Sequence, residues 1–268
     1  MGDVEARLTG GMLTDGVVRV GNTVRRPMGD HSDLVHTVLR HLEQVGFTGA
    51  PRFLGVDEQG REMLTFVEGE VAGQPWPQWV ADDDRAASVA RLLRALDDAM
   101  RPLGLPAGTS QPVSWPGVPD RPGPPPSFLG HRDVAPENVV FRAGRAVSLI
   151  DFDLVRASST VDEVTNLLVW WGGWAPPADR EDAIRDLDPA SRGRLLVDAY
   201  GLDDQLRQWV VPVAISTAQR TWYSMENRAR TQGGGWATMW SDGIGDRIHR
   251  REQWLRDNEH LLIRAITT

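Results

Sequence analysis

Apolar and polar positions alternate in short runs through the opening of the chain and then change to a helical period. Val17-Val18-Arg19-Val20 and Thr23-Val24-Arg25-Arg26 flank Gly21-Asn22 and stop at Pro27. Two β-prone runs around a Gly-Asn turn predict a hairpin. Leu34, Val35, Val38, Leu39 and Leu42 then recur at helical spacing, which predicts a helix over 32–46 with Ser32 as its N-cap. Residues 53–56 and 62–67 read as a second strand pair around Glu58-Gln59-Gly60.

Farther on the pattern is mostly helical. Val89, Leu92, Leu93 and Leu96 mark one face of a helix over 84–100, and helical patterns return over 162–171, 191–200, 206–230 and 245–266. Between them lies a Pro/Gly-rich stretch, 102–126, with no regular pattern; a connection that long is either functional or a packed irregular segment. Two β-like runs, 138–141 and 146–150, flank Ala143-Gly144. The fold class expected is α+β and two-lobed: a small β-rich N-lobe over 1–68 and a larger, mostly helical C-lobe over 69–268.

Composition adds constraints. The 268 residues are 41% hydrophobic and 25% charged, ordinary for a globular protein. No apolar run approaches a membrane span and no basic-then-apolar leader opens the chain, so a cytoplasmic protein with no membrane partner is expected. A net charge of −8 spread along the chain argues against a nucleic-acid partner, which needs clustered cations, and weakly favours a cationic ligand. Cysteine is absent, which excludes disulfides and thiolate chemistry. Lysine is absent too, so a Walker A loop or a lysine Schiff base is impossible. His31, His36 and His41 recur every fifth residue, which does not align them on one helix face as zinc ligands.

The chemistry concentrates in Leu129-Gly130-His131-Arg132-Asp133-Val134-Ala135-Pro136-Glu137-Asn138 and, after a hairpin, Leu149-Ile150-Asp151-Phe152-Asp153. Asp133 and Asn138 put a carboxylate and an amide oxygen on one loop, and Asp151 ends the strand that returns to it. Phosphoryl transfer needs such a set: a carboxylate beside the attacking hydroxyl and oxygen ligands for a hard cation on the phosphates. The pattern H-x-D-x-x-x-x-N, a hairpin and then I-D-F resembles the catalytic loop and metal segment of the protein-kinase-like superfamily. Pro136-Glu137 before the asparagine, Asp-Phe-Asp in place of Asp-Phe-Gly and the lack of an Ala-Pro-Glu motif after that segment make it similar to the aminoglycoside phosphotransferase and choline kinase branch. Thr23-Val24-Arg25-Arg26-Pro27 resembles the strand that carries the phosphate-binding cation. Leu64-Thr65-Phe66-Val67-Glu68-Gly69 resembles the hinge, and Asp198-Ala199-Tyr200-Gly201-Leu202 with Trp254-Leu255 the C-terminal part of actinobacterial members.

The resemblance implies an O-phosphotransferase with ATP or GTP as donor and Mg²⁺ as cofactor. Asp133 would take or orient the proton of the acceptor hydroxyl, while Asn138 and Asp151 would hold the metal. Arg25 would stand for the usual lysine, with Arg26 as the alternative, and Thr65, Val67, Gly10 and Gly11 would line the nucleotide site. The carboxylate that normally orients that lysine falls at Val35, so either another group such as Glu62 or Asp151 would orient the arginine, or the nucleotide would sit differently. His131 is expected to pack the loop, and Asp153 to reach a second metal, the substrate or only a turn. Asp97-Asp98 stands where relatives often have a histidine. Trp174, near Trp170 and Trp171, could stack on a sugar or amine, although tryptophans at helical spacing are more often core. Asp162, Glu163 and Glu226 could pair with ammonium groups. The implied acceptor is a small hydroxylated molecule: an aminoglycoside or other cationic antibiotic, or a choline-like, amino-alcohol or sugar metabolite. A non-catalytic binding module of the same fold is the alternative, favoured by the missing lysine–glutamate pair.

Overall fold

The computed structural model describes residues 5–8, 16–107, 109 and 113–268. Its first part is one antiparallel sheet in the order β1-β2-β3-β5-β4, built from β1 (Glu5–Arg7), β2 (Val18–Val20), β3 (Thr23–Pro27), β4 (Phe53–Val56) and β5 (Arg61–Thr65). The hairpin expected at Gly21-Asn22 joins β2 to β3. In the register of β3 on β5, Val24 stands opposite Leu64 and Arg26 opposite Glu62. α1 (Ser32–Gln44) buries Val35, Val38, Leu39 and Leu42. Its N-cap is His31 rather than Ser32, because the Ser32 hydroxyl is turned back to accept the Gly29 amide at 2.9 Å.

The sheet is tied to the rest of the chain at a close backbone crossing. Gly69 has φ 154°, and a Cβ there would lie 2.4 Å from Val140 Cγ1 and 2.6 Å from the Phe141 carbonyl oxygen, so only glycine passes. Glu70 and Phe141 then exchange two backbone hydrogen bonds, of 2.9 and 2.7 Å.

The larger part is helical around two short hairpin-like pairs. It comprises α2 (Asp83–Met100), β6 (Phe128–Gly130), β7 (Val139–Arg142), β8 (Arg145–Leu149), β9 (Arg156–Ser158), α3 (Thr160–Trp171), α4 (Pro189–Tyr200), α5 (Asp204–Arg207), α6 (Val210–Gln232), α7 (Gly234–Ser241), α8 (Ile244–Asp257) and α9 (Glu259–Thr267). β6 pairs with β9, and β7 with β8. Leu93, Leu96, Phe128, Leu149, Leu167, Trp171, Leu196, Val213 and Leu262 join these elements in one core. The architecture is the two-part α+β arrangement expected, with the two candidate loops, 131–138 and 150–155, where the helical part meets the sheet.

Two long helical patterns are interrupted. The run expected over 206–230 breaks before Val210, where Pro212 occupies the first turn of α6 and lacks only an N–H that would be unbonded there anyway. The run over 245–266 breaks at Asn258, whose side-chain amide donates to the Trp254 carbonyl at 2.8 Å. The Pro/Gly-rich stretch has no helix or strand among its described residues from Gly104 to Ser127, yet it is packed. Trp115 stacks on Tyr223 with centroids 5.8 Å apart, and Arg220 of α6 donates to the carbonyls of Val113 and Pro119 at 3.0 and 2.6 Å. Among the described residues, no helix is long and apolar enough to cross a membrane.

Candidate active site

The loop leading from β6 is held from beneath by buried polar groups. A Cβ on Gly130 would lie 2.0 Å from Glu163 Oε1, so glycine alone lets β6 run against that carboxylate. Glu163 accepts from the Ser158 hydroxyl at 2.5 Å and from the Arg132 amide at 3.4 Å. His131 is buried; its Nε2–H donates to the Ile150 carbonyl at 3.1 Å and its Nδ1 accepts the Asp133 amide at 3.3 Å. Burial lowers its pKa to about 4, so the ring is neutral and packs the loop. The Val134 amide donates to Asn166 Oδ1 at 2.9 Å, and Trp171 Nε1–H donates to the Val134 carbonyl at 2.7 Å.

This scaffold presents Asp133 and Asn138 together. Asn138 Nδ2 donates to Asp133 Oδ2 at 2.8 Å and to the Asp133 carbonyl at 3.1 Å, while the Ile150 amide donates to the Asn138 carbonyl at 2.9 Å. The side-chain oxygen of Asn138 has no donor among the described residues. Arg132 and Asp151 adopt the left-handed region, φ 65° and 63°, at a cost of about 1–3 kcal/mol each. The strain therefore sits on the two segments whose carboxylates meet. Burial, and then the charge of Asp151, raise the Asp133 pKa to about 7.

β3 supplies the cation, and the arginine that faces the two loops is Arg26. Its Nε donates to Glu62 Oε1 at 2.6 Å, Nη2 to Asp153 Oδ1 at 2.6 Å and Nη1 to Asp151 Oδ1 at 3.4 Å. Arg25, the residue expected there, lies on the other face of β3 with Nη1 3.6 Å from Asp57 Oδ2. The orienting carboxylate is Glu62, directly opposite Arg26, and its Oε2 lies 2.7 Å from His36 Nε2 on α1. Val35 is core, and its neighbour His36 makes the polar contact instead. Sequence reasoning missed His36; its place one residue after Val35 was the available signal.

The remaining expected residues are scattered. Thr65 Oγ1 accepts the Arg52 amide at 2.8 Å, so that hydroxyl is engaged within the sheet. Val67 is half-buried just beyond β5, and its backbone N–H and carbonyl make no hydrogen bond among the described residues. Gly10 and Gly11 lie outside the described residues. Trp174 is fully buried and donates to the Pro189 carbonyl at 3.2 Å, so it belongs to the core and not to a ligand surface. Asp162 is a buried capping residue of α3, held by Arg121 Nε at 2.9 Å and Nη2 at 2.8 Å, and offers no free charge to an ammonium group. Burial raises its pKa, but the charges of Arg132 and Arg121 outweigh that and leave it lowered.

Three carboxylates, Glu62, Asp151 and Asp153, thus lie within 2.6–3.4 Å of one guanidinium. Among the described residues no three His, Cys, Asp or Glu side chains form a metal cage. The donor set is instead two partly exposed carboxylates, Asp151 and Asp153, and the Asn138 amide oxygen. An all-oxygen set with few protein ligands and surplus negative charge fits Mg²⁺, which keeps waters and phosphate oxygens in its shell.

A model of the APH phosphotransferase enzyme family matches residues 115–197, which span both candidate loops. The trifolitoxin immunity protein of Rhizobium leguminosarum bv. trifolii is 34% identical over 223 residues, covering 80% of each chain. In fold, the chain is similar to a choline/ethanolamine kinase family protein from Mesorhizobium loti (TM-score 0.58, 16% identity, 98% of this chain and 92% of that one). It is also similar to an ethanolamine kinase of Plasmodium vivax (TM-score 0.59, 11% identity, 95% and 81%). A third likeness is to APH(2")-IIa in its ternary complex with streptomycin and ATP (TM-score 0.53, 12% identity, 81% and 83%). The chain belongs to the APH phosphotransferase enzyme family and has its kinase-like fold.

Proposed function

We propose that the protein is a nucleotide-dependent O-phosphotransferase acting on a hydroxyl of a small molecule. The observation that carries this reading is the convergence of Asp133, Asn138, Asp151 and Arg26, with Asn138 fixed on Asp133 at 2.8 Å and Arg26 on Glu62 at 2.6 Å. In the reaction the acceptor oxygen bonds to the γ-phosphorus, the bond from that phosphorus to the nucleoside diphosphate oxygen breaks, and the hydroxyl proton passes to Asp133. Asp133, set in a desolvated place, orients the hydroxyl and takes its proton. Arg26 turns from the carboxylates of Asp151 and Asp153 to the phosphates, and its planar fork suits their oxygens. Mg²⁺, held by Asn138, Asp151 and Asp153, would neutralise charge on the phosphate oxygens. The free backbone groups of Val67 are suited to the nucleotide base.

The relative's name, an immunity protein against trifolitoxin, supports a protective role: a phosphoryl group added to a toxin or antibiotic hydroxyl. One observation favours a second reading. Arg26 already reaches both Asp151 and Asp153, as it would in a binding module where the guanidinium stands in for the metal.

Calorimetric titration with ATP and GTP, with and without Mg²⁺, separates the two readings. Metal-dependent nucleotide binding that Asp151→Asn loses is expected of the phosphotransferase. Nucleotide binding indifferent to Mg²⁺, or none in folded protein, would leave the binding module.

A further inference from the structure

Arg26 is buried on β3 and places each of its three nitrogens on a different carboxylate. Nε donates to Glu62 Oε1 at 2.6 Å, Nη2 to Asp153 Oδ1 at 2.6 Å and Nη1 to Asp151 Oδ1 at 3.4 Å. Both oxygens of Glu62 are engaged, because His36 Nε2 lies 2.7 Å from Oε2. The bond from Nε to Glu62 fixes one edge of a rigid plane, and that plane carries both terminal nitrogens to the 150–155 loop. Asp151 Oδ1 also accepts the Asp153 amide at 3.4 Å, so the two aspartates are joined to each other as well as to the arginine.

Asp151 and Asp153 are the carboxylates proposed above to hold Mg²⁺. Both are partly exposed and Arg26 is not, so the guanidinium reaches them from the protein side. A divalent ion on their outward oxygens would share both groups with a cation already in place. Their charge would be largely neutralised, and two cations held on the same carboxylates repel. Phosphate oxygens are the other acceptors that suit a planar fork, and Arg26 reaches them by giving up the aspartates. An ammonium group would offer one nitrogen to carboxylates that the guanidinium meets with three. The arrangement therefore depends on arginine, in a chain that contains no lysine.

We infer that Arg26 is a latch on the metal site: it keeps Asp151 and Asp153 from divalent metal until nucleotide phosphates draw its terminal nitrogens away. This rests on the phosphotransferase reading above and adds an order of events to it. Nε stays on Glu62 as the pivot while Nη1 and Nη2 change partners. Metal and nucleotide then bind with positive coupling, and the coupling is reciprocal: the metal affinity that Arg26 withholds from the free chain returns when nucleotide is bound.

The test reads metal binding directly. Mn²⁺ is titrated into the full, nucleotide-free chain and followed by the electron paramagnetic resonance of the free ion. The native chain is expected to bind it weakly, with an affinity that Asp151→Asn leaves unchanged. Arg26→Met should bind one Mn²⁺ about ten-fold or more tightly than the native chain, and Asp151→Asn added to it should abolish the gain. Arg26→Lys should fall between the two; it keeps a cation for Glu62 and is the variant read if Arg26→Met does not fold. One Mn²⁺ held by the native chain and lost in Asp151→Asn would overturn the inference, as would a folded Arg26 variant that binds Mn²⁺ no better than the native chain. ATP and GTP are titrated separately into the native chain in excess Mg²⁺. No nucleotide binding there would sink the phosphotransferase reading and the release step with it. Nucleotide binding with Mn²⁺ affinity unchanged in the Arg26 variants would sink the latch alone.

Discussion

Arg26 and Glu62 stand opposite each other across β3 and β5, Nε donating to Oε1 at 2.6 Å, and both side chains are buried. A cross-strand pair has fixed spacing and direction, so the guanidinium is aimed along the sheet face toward Asp151 and Asp153 without help from a helix carboxylate. Burial by itself would lower the Arg26 pKa, but the charges of Asp153, Glu62 and Asp151 outweigh it and hold the cation firmly charged.

The first prediction separates the two neighbouring arginines. Arg26→Met is expected to reduce kcat/KM for phosphoryl transfer roughly 100-fold, because a preorganised charge on the phosphates is lost. Arg25→Met, on the far face beside Asp57, is expected to leave it within about two-fold. Steady-state kinetics on the two variants decides; equal losses would show that the face of β3 is not what matters.

That distinction marks the limit of what the sequence reveals. The hairpin, α1, the strand pair and both candidate loops were legible because their turns carry Gly-Asn, Ala-Gly and Gly signals and their apolar periods are clean. The face of β3 was not. Arg25 and Arg26 are chemically alike, and Met63 beside Leu64 leaves the inward parity of β5 open until the register puts Val24 on Leu64. The charged Arg26 and Glu62 also occupy inward positions that a hydrophobic pattern assigns to apolar residues. β6 and β9, three residues each, are too short to show alternation. The break before Val210 is hidden because apolar residues continue through it, and the one at Asn258 because Leu255 and Leu262 still stand two helical turns apart across it.

His36 is expected to act on the nucleotide through Glu62. Its ring stacks on Phe53 with centroids 3.8 Å apart, and Nε2 donates to Glu62 Oε2 at 2.7 Å. His36→Phe keeps an aromatic stack and removes the donor, so Glu62 is held on one side only. The nucleotide KM should rise about five-fold with a smaller change in kcat, and His36→Gln, which restores an N–H donor, should recover most of it. A fall in kcat alone would count against this role.

Arg121 is the main support that the Pro/Gly-rich segment gives to α3. It holds both oxygens of Asp162, donates to Ser159 Oγ at 2.9 Å, and closes its own segment by donating to the Pro122 and Pro124 carbonyls at 3.0 and 2.6 Å. Arg121→Ala would leave a buried carboxylate with the more distant Arg132, 3.9 Å away, as its nearest cation. Unfolding by urea should show a loss of about 3 kcal/mol, and Asp162→Asn in the Arg121→Ala background should recover part of it, because the unpaired charge is then gone.

Asp97 gives a prediction about pH. It is fully buried, accepts the Tyr200 hydroxyl at 2.5 Å through Oδ2, and leaves Oδ1 without a partner among the described residues. Burial, and then the charge of Glu163, raise its pKa well above 3.8, although Tyr200 pulls the other way. In the folded chain the group therefore keeps its proton where the unfolded chain has lost it. The folded state binds more protons in that window, so stability falls as pH rises. The contribution is fully present below the ordinary value of 3.8 and is lost as pH climbs through the raised one. Asp97→Asn keeps an oxygen for Tyr200 and carries no charge to desolvate. Its Tm should exceed that of the native chain by several degrees at pH 8, with the gap closing toward pH 4, as read by calorimetry across that range. A gap independent of pH would mean that the asparagine acts through packing alone, and a lower Tm at pH 8 would mean that the carboxylate charge is used by the fold.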